Sequence, residues 1–315
     1  MAKLKCEFFG KKLKNPIILA SGVLGMTKAS LEMACENGCG GVTTKSLSIE
    51  PRKGHEGPNV AETECGFMNA MGYPNPGIDA GLKEFDGWKR DEALIISIVG
   101  KDATEFGTLA EKVEEAKLNA AAIEVVLSCP HTPGYGTMVG QGSPESVTEI
   151  CKTVKEKTKI PLIVKLSPSV PGEVKAAEAA KNAGADAINM GNSLGPAMKI
   201  DIHRKMPVLG FGMGGLSGPA IKPIAIRCIY AIKQTVDIPI IGTGGVNCGT
   251  DAIEMMMAGA NWISVGTAVY YRGPEAFDYI AREMDAWMDM YGYKNVNEIV
   301  GVVHEEIRKY KNYSQ

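Results

Sequence analysis

Residues 124–136, EVVLSCPHTPGYG, run from an apolar segment into a loop, with a cysteine at the junction. The stretch 122–127 is almost continuous in aliphatic and β-branched residues, as in a strand buried on both faces. Pro130, Pro133, Gly134 and Gly136 make the next segment a loop, expected to be mobile. Cys129 therefore stands at the carboxyl end of a buried strand, where a thiolate can serve as general base towards a bound ligand. An isolated cysteine is more often a small buried hydrophobe, so the weight placed on Cys129 comes from the rest of the chain.

The strand ending near Cys129 is one of eight short apolar runs, at 17–21, 41–44, 94–99, 122–127, 162–166, 187–190, 238–241 and 262–265. Segments with helical spacing lie between them, among them 103–119, 144–157, 172–182, 220–234 and 250–258. Strand and helix repeated eight times predict a parallel sheet closed as a (β/α)8 TIM barrel, one domain over residues 1–315. A doubly wound sheet needs a glycine fingerprint after its first strand, and ASGVLG at 20–25 is not GxGxxG. Residues 3–15 predict an N-terminal β-hairpin turning at Gly10, ahead of the barrel. Two connections, 45–75 and 192–217, are long loops that a barrel places at its carboxyl-terminal face, where long loops are usually functional. Residues 295–311 predict a closing helix capped by Asn295 or Asn297, with Ile299, Val302, Val303 and Ile307 as its apolar stripe.

The composition narrows the functional classes. A formal net charge of -2 over 315 residues, without long blocks of like charge, offers no field for nucleic acid or an anionic membrane. No apolar run approaches the roughly 20 residues that span a bilayer, and the first 15 residues lack the apolar centre of a signal peptide, so cytoplasmic residence is expected. Eight cysteines are scattered without a CxxC pair, which fits free thiols in a reducing compartment and predicts neither a metal site nor an iron–sulfur cluster in this chain. Cys35 and Cys39, one helical turn apart, read as structural.

Two glycine-rich turns come after the last two strands: GTGGV at 242–246 and GTA at 266–268. Glycines there let backbone N–H groups approach an anion, and these strands hold phosphate in many barrels. The ligand could be a phosphorylated substrate or a cofactor. Lys165, at the end of the fifth strand, and Lys45, at the end of the second, bring two cations to the barrel mouth. A positive charge beside a flavin's pyrimidine edge stabilises the anionic reduced ring; the plainer alternative is a lysine paired with a carboxylate.

Taken together, these residues resemble the class 1 dihydroorotate dehydrogenases, FMN enzymes of pyrimidine synthesis with a cysteine base. The resemblance covers almost the whole chain: ASGVLG at 20–25, KSLSIEPRKG at 45–54, NAMGYPNPG at 69–77, LSCP at 127–130, VKLSP at 164–168, GNSL at 191–194, GGLSGPA at 214–220, GTGG at 242–245 and VGTA at 265–268. The spelling is similar to the group with separate electron-transfer subunits and its archaeal relatives. The resemblance implies oxidation of (S)-dihydroorotate to orotate, with hydride passing to FMN and Cys129 removing the proton from the neighbouring carbon. It places FMN against Ala20, Ser21, Lys45, Ser46, Lys165, Gly218, Gly244, Gly245, Gly266 and Thr267. It places the pyrimidine against Lys45, Asn69, Met71, Gly72, Tyr73, Asn192 and Ser193. It also implies a homodimer that docks a partner carrying FAD and an iron–sulfur cluster.

The chain departs from the family pattern beside the cysteine. Asparagines are expected three residues before it and two after; this chain has Val126 and His131. Valine cannot replace an amide's hydrogen bond, worth roughly 0.5–1.5 kcal/mol. Two further readings therefore stand beside dihydroorotate oxidation. One is a related FMN oxidoreductase for another dihydropyrimidine or a cyclic amide or enone; the other is a silent flavin-binding protein.

Overall fold

Eight parallel strands close on themselves in the order of the chain. In the computed structural model they are Ile17–Leu19, Gly41–Thr43, Ala93–Ile98, Ala120–Val126, Leu162–Leu166, Ala187–Met190, Ile240–Thr243 and Trp262–Val265, the eighth pairing with the first. The structure describes residues 1–129, 132, 134–136, 140–168 and 172–313. The expected (β/α)8 barrel is therefore what forms, and every expected strand overlaps an observed one.

Alternate residues along these strands face the barrel interior, and they divide it into two layers. The lower layer is apolar: Ile18, Ala93, Ile95, Ala122, Ile163, Ala187, Ile241 and Trp262 pack together beneath the hairpin residues Phe8 and Leu13. The hairpin, Cys6–Phe8 paired with Lys11–Leu13, closes this end. Trp262 sets its ring 4.8 Å from that of Phe8 and donates Nε1–H to the Glu7 carbonyl at 3.0 Å. Two residues further along six of the strands the inward positions turn polar, at Ser97, Glu124, Lys165, Asn189, Thr243 and Ser264, all buried. Polar groups so enclosed must bond one another, and they form the floor of the carboxyl-terminal face.

The helices arise from local chemistry. Asp102 accepts from the Glu105 amide to start Ala103–Glu115, whose face of Phe106, Leu109, Ala110 and Val113 is buried against the sheet. Ser143 caps Pro144–Lys157, with proline in the first turn where no amide is needed. The helix expected over 103–119 stops at Glu115, and Lys117 just beyond has a left-handed backbone. The expected helix 220–234 starts later, because Pro219–Ile221 forms a 3-10 turn before Lys222–Thr235.

Two expectations need correction. Residues 295–311 are not one helix: a 3-10 turn, Val296–Ile299, capped by Asn295, gives way at Val300 and Gly301 to a separate helix, Val302–Tyr313. Of the expected stripe only Ile299 is fully buried, and Ile307 is exposed. Nor are the two long connections irregular. They contribute Val60–Thr63, Gly66–Asn69, Leu194–Ala197 and Gly214–Ser217 to one four-stranded antiparallel sheet over the barrel mouth. The two connections meet where Gly66–Asn69 pairs with Gly214–Ser217.

Candidate functional site

A cavity occupies the carboxyl ends of the barrel strands under this added sheet, with about 1290 Å³ of space including its mouth. Cys129, Lys45, Lys165, the glycine turns and all the residues expected around a flavin or a pyrimidine line this one space.

Cys129 is buried just beyond the fourth strand, and its thiol donates to Thr132 Oγ1 at 3.1 Å. The loop beyond it folds back on the thiol. Gly136 has φ +58°, and a Cβ there would lie 2.4 Å from the Cys129 amide nitrogen, so only glycine permits the approach. The loop is anchored in its described part: Gln141 Oε1 accepts from the Gly136 amide at 2.7 Å, and Gln141 Nε2 donates to the Gly100 and Lys101 carbonyls. Arg52 donates to the Tyr135 hydroxyl at 3.1 Å and lies over its ring. Pro130, Pro133 and His131 lie outside the described residues.

Tyr73 closes the space above the thiol. Its hydroxyl is buried with no hydrogen bond of regular geometry. Burial, and then the neighbouring Cys129, push its pKa well above the ordinary phenol value. A hydroxyl kept protonated beside the thiol is a donor that can turn to a ligand acceptor.

The two lysines share the cavity floor. Lys165 is buried, donates to Ser21 Oγ at 2.8 Å and stands 3.7 Å from Glu124 Oε1. Of the two settings weighed from the sequence, the pairing with a carboxylate is present, and the same ammonium lines the cavity. Lys45 is also buried, and desolvation, then repulsion from Lys165, lowers its pKa from 10.5 to about 8. The segment at 20–25 packs directly on it, with the Lys45 amide donating to the Gly25 carbonyl at 2.8 Å. Ser46 Oγ lies 3.0 Å from Ser97 Oγ.

Opposite, the turns after the seventh and eighth strands make a cradle. Among the described residues the amides of Gly245, Gly266 and Thr267 donate to no backbone carbonyl. Gly245 has φ +85°, and a Cβ there would meet the Lys222 Cβ at 2.7 Å and backbone atoms of Lys222 and Gly218 at 2.9 Å. Gly218 and Gly244 complete the rim, with Ala20 beside Gly266.

On the remaining wall Asn69 donates to the Gly215 carbonyl at 3.4 Å, across the pairing of the two long connections. Asn192 donates to Ser128 Oγ at 2.8 Å and accepts from the Ser193 amide at 2.8 Å. Met71 and Gly72 continue this wall to Tyr73. Val126 lies within it, buried and paired in register with Lys165. Thr132, Thr243, Phe67 and Tyr270 also line the cavity and were not singled out in the sequence. Only Thr243, inside the GTGG turn, carried a sequence signal.

A (β/α)8 barrel whose open face holds buried cations, open amides and a buried thiol is an arrangement for anionic, acceptor-rich ligands and for proton removal. The family model described as dihydroorotate dehydrogenase matches residues 3–288, and the chain belongs to this family of flavin-dependent oxidoreductases. The dihydroorotate dehydrogenase B (NAD(+)), catalytic subunit, of Pyrococcus abyssi is 46% identical over 299 residues, 95% of this chain and 98% of that one. The protein of the same name from Methanothermobacter thermautotrophicus is 43% identical over 295 residues, 93% and 96% of the two chains. The crystal structure of DHODH from Eimeria tenella in complex with ferulenol superposes with a TM-score of 0.82 at 20% identity, covering 96% of this chain and 89% of that one. That likeness speaks for the fold.

Proposed function

We propose that this protein oxidises (S)-dihydroorotate to orotate in pyrimidine synthesis, residues 1–315 acting as one FMN-binding barrel. The observation that carries the proposal is that Cys129 opens into the same cavity as Lys45, Lys165 and the two glycine turns. The donor set fits FMN: open amides at Gly245, Gly266 and Thr267 suit its phosphate, while Lys165, Lys45, Ser21 and Ser46 suit the polar edge of its ring. FMN, when bound, supplies the hydride acceptor.

In this reading Cys129 takes the proton from the ring carbon next to the one that gives up hydride, with Thr132 orienting the thiol. Lys45 meets the substrate carboxylate. Asn69, Asn192, Ser193 and the backbone from Met71 to Tyr73 offer donors and acceptors to its ring amides. Electrons are proposed to leave the reduced flavin through another protein. Relatives named as catalytic subunits support such a partner. We propose that it carries FAD and an iron–sulfur cluster and docks on a homodimer in the cytoplasm; among the described residues no helix is long and apolar enough to cross a membrane.

Purified protein should be yellow and release about one FMN per chain on denaturation. Extraction of FAD, or of no flavin after supplementation, would overturn the cofactor assignment.

Val126 tests the substrate. Val126→Asn should tighten orotate binding two- to tenfold, since one added hydrogen bond is worth roughly 0.5–1.5 kcal/mol. A pocket built for a less polar ligand would bury the new amide unpaired. Orotate affinity that does not rise, read from flavin absorbance in both proteins, would favour a different cyclic amide.

A further inference from the structure

Beneath the cavity floor lies a carboxylate that the proposed mechanism does not use. Glu124 points into the barrel from the fourth strand and is 2% exposed. Ser97 Oγ donates to its Oε1 at 3.1 Å, Asn189 Nδ2 donates to its Oε2 at 2.6 Å, and Lys165 Nζ stands 3.7 Å from Oε1. Every one of these partners gives a proton or a positive charge, so the arrangement suits the ionised carboxylate.

The set reaches the cavity at three points. Asn189 Oδ1 accepts from Thr243 Oγ1 at 2.6 Å, Ser97 lies 3.0 Å from Ser46, and Lys165 donates onward to Ser21 at 2.8 Å. Thr243, Ser46, Ser21 and Lys165 all line the cavity, whereas Glu124, Ser97 and Asn189 lie behind it. Two lysines without a counter-charge would put two buried positive charges side by side, and Lys45 already responds to its neighbour. One buried carboxylate against Lys165 leaves the floor with a single net positive charge.

We propose that Glu124 is a positioning residue that fixes the Lys165 ammonium between itself and Ser21 and sets the net charge under the bound flavin. The proposal rests on the FMN reading. Removing the negative charge while keeping the shape leaves the floor more positive. The anionic reduced ring is then favoured over the neutral oxidised one.

The test is the midpoint potential of FMN-loaded wild type, Glu124→Gln and Ser97→Ala, each with its thermal midpoint. Glu124→Gln should raise the equilibrium constant for flavin reduction at least tenfold, about 30 mV for a two-electron couple. Ser97→Ala, which removes a neutral donor and keeps the carboxylate, should move it less than threefold. If Glu124→Gln does not accumulate folded, Glu124→Asp is measured instead: it retracts the charge from Lys165 and should shift the potential upward by a smaller amount. A fall in thermal stability with an unchanged potential in the glutamine variant, or in the aspartate variant where that is the one measured, would make Glu124 a purely structural residue. Wild-type protein that takes up no FMN would instead defeat the cofactor reading.

Discussion

Cys129→Ser is expected to retain FMN while slowing the anaerobic bleaching of flavin by dihydroorotate at least about 10²-fold at neutral pH. General base catalysis is typically worth 10²–10⁴, and a serine hydroxyl is far harder to ionise than a thiol. The substitution changes one atom in a buried position held by Thr132 and backed by Gly136, so the cavity should keep its shape and the flavin spectrum should be unaltered. The rate should recover in part at high pH, where more of the hydroxyl is ionised. Bleaching at the wild-type rate would return Cys129 to a packing role.

The second large effect concerns Lys45 and pH. Its pKa of about 8 in the protein, set by burial and then by Lys165, lies below the ordinary lysine value. A bound carboxylate favours the charged ammonium and lifts that pKa again. Below about pH 7 the lysine is therefore charged in both free and bound protein, and orotate affinity is flat. Above pH 8 binding must take up a proton, and affinity should fall by up to roughly tenfold per pH unit until the pKa of the complex is reached. Lys45→Met should bind orotate more weakly at neutral pH and lose this slope. The experiment is an orotate titration from pH 6.5 to 9.5 on both proteins. A flat wild-type profile would remove Lys45 from the carboxylate site.

The barrel was legible because each strand is a short apolar run and several of the helices between them, such as Ala103–Glu115 behind Asp102 and Pro144–Lys157 behind Ser143, start at a side-chain cap. What those runs hid is the alternation inside them. Glu124 and Asn189 sit in strands that read as continuous apolar segments, yet they face inward with Lys165 and Thr243 to make a polar layer. A glutamate in a doubly buried strand is itself a signal, since an ionised carboxylate stays there only if donors meet it.

The glycine turns were legible for the opposite reason. Gly245 is required by local backbone geometry, and such a requirement shows in the sequence. The sheet over the mouth was not legible, because Asn69 and Gly215 pair across 146 positions and nothing local encodes that register. The tyrosine hydroxyl above Cys129 and the threonine beside it depend on how the loop folds back, which proline and glycine content alone does not fix. Residues 295–311 misled because an apolar spacing can continue across a break at Val300 and Gly301.

The central claim is that one cavity joins a cysteine base, a flavin and a dihydropyrimidine. It is tested most directly by mixing the FMN-loaded protein anaerobically with (S)-dihydroorotate and monitoring flavin absorbance and orotate together. Bleaching of the flavin with one orotate formed per flavin reduced is the predicted result. A fully loaded flavin that stays oxidised with millimolar dihydroorotate, and no orotate formed, would contradict it.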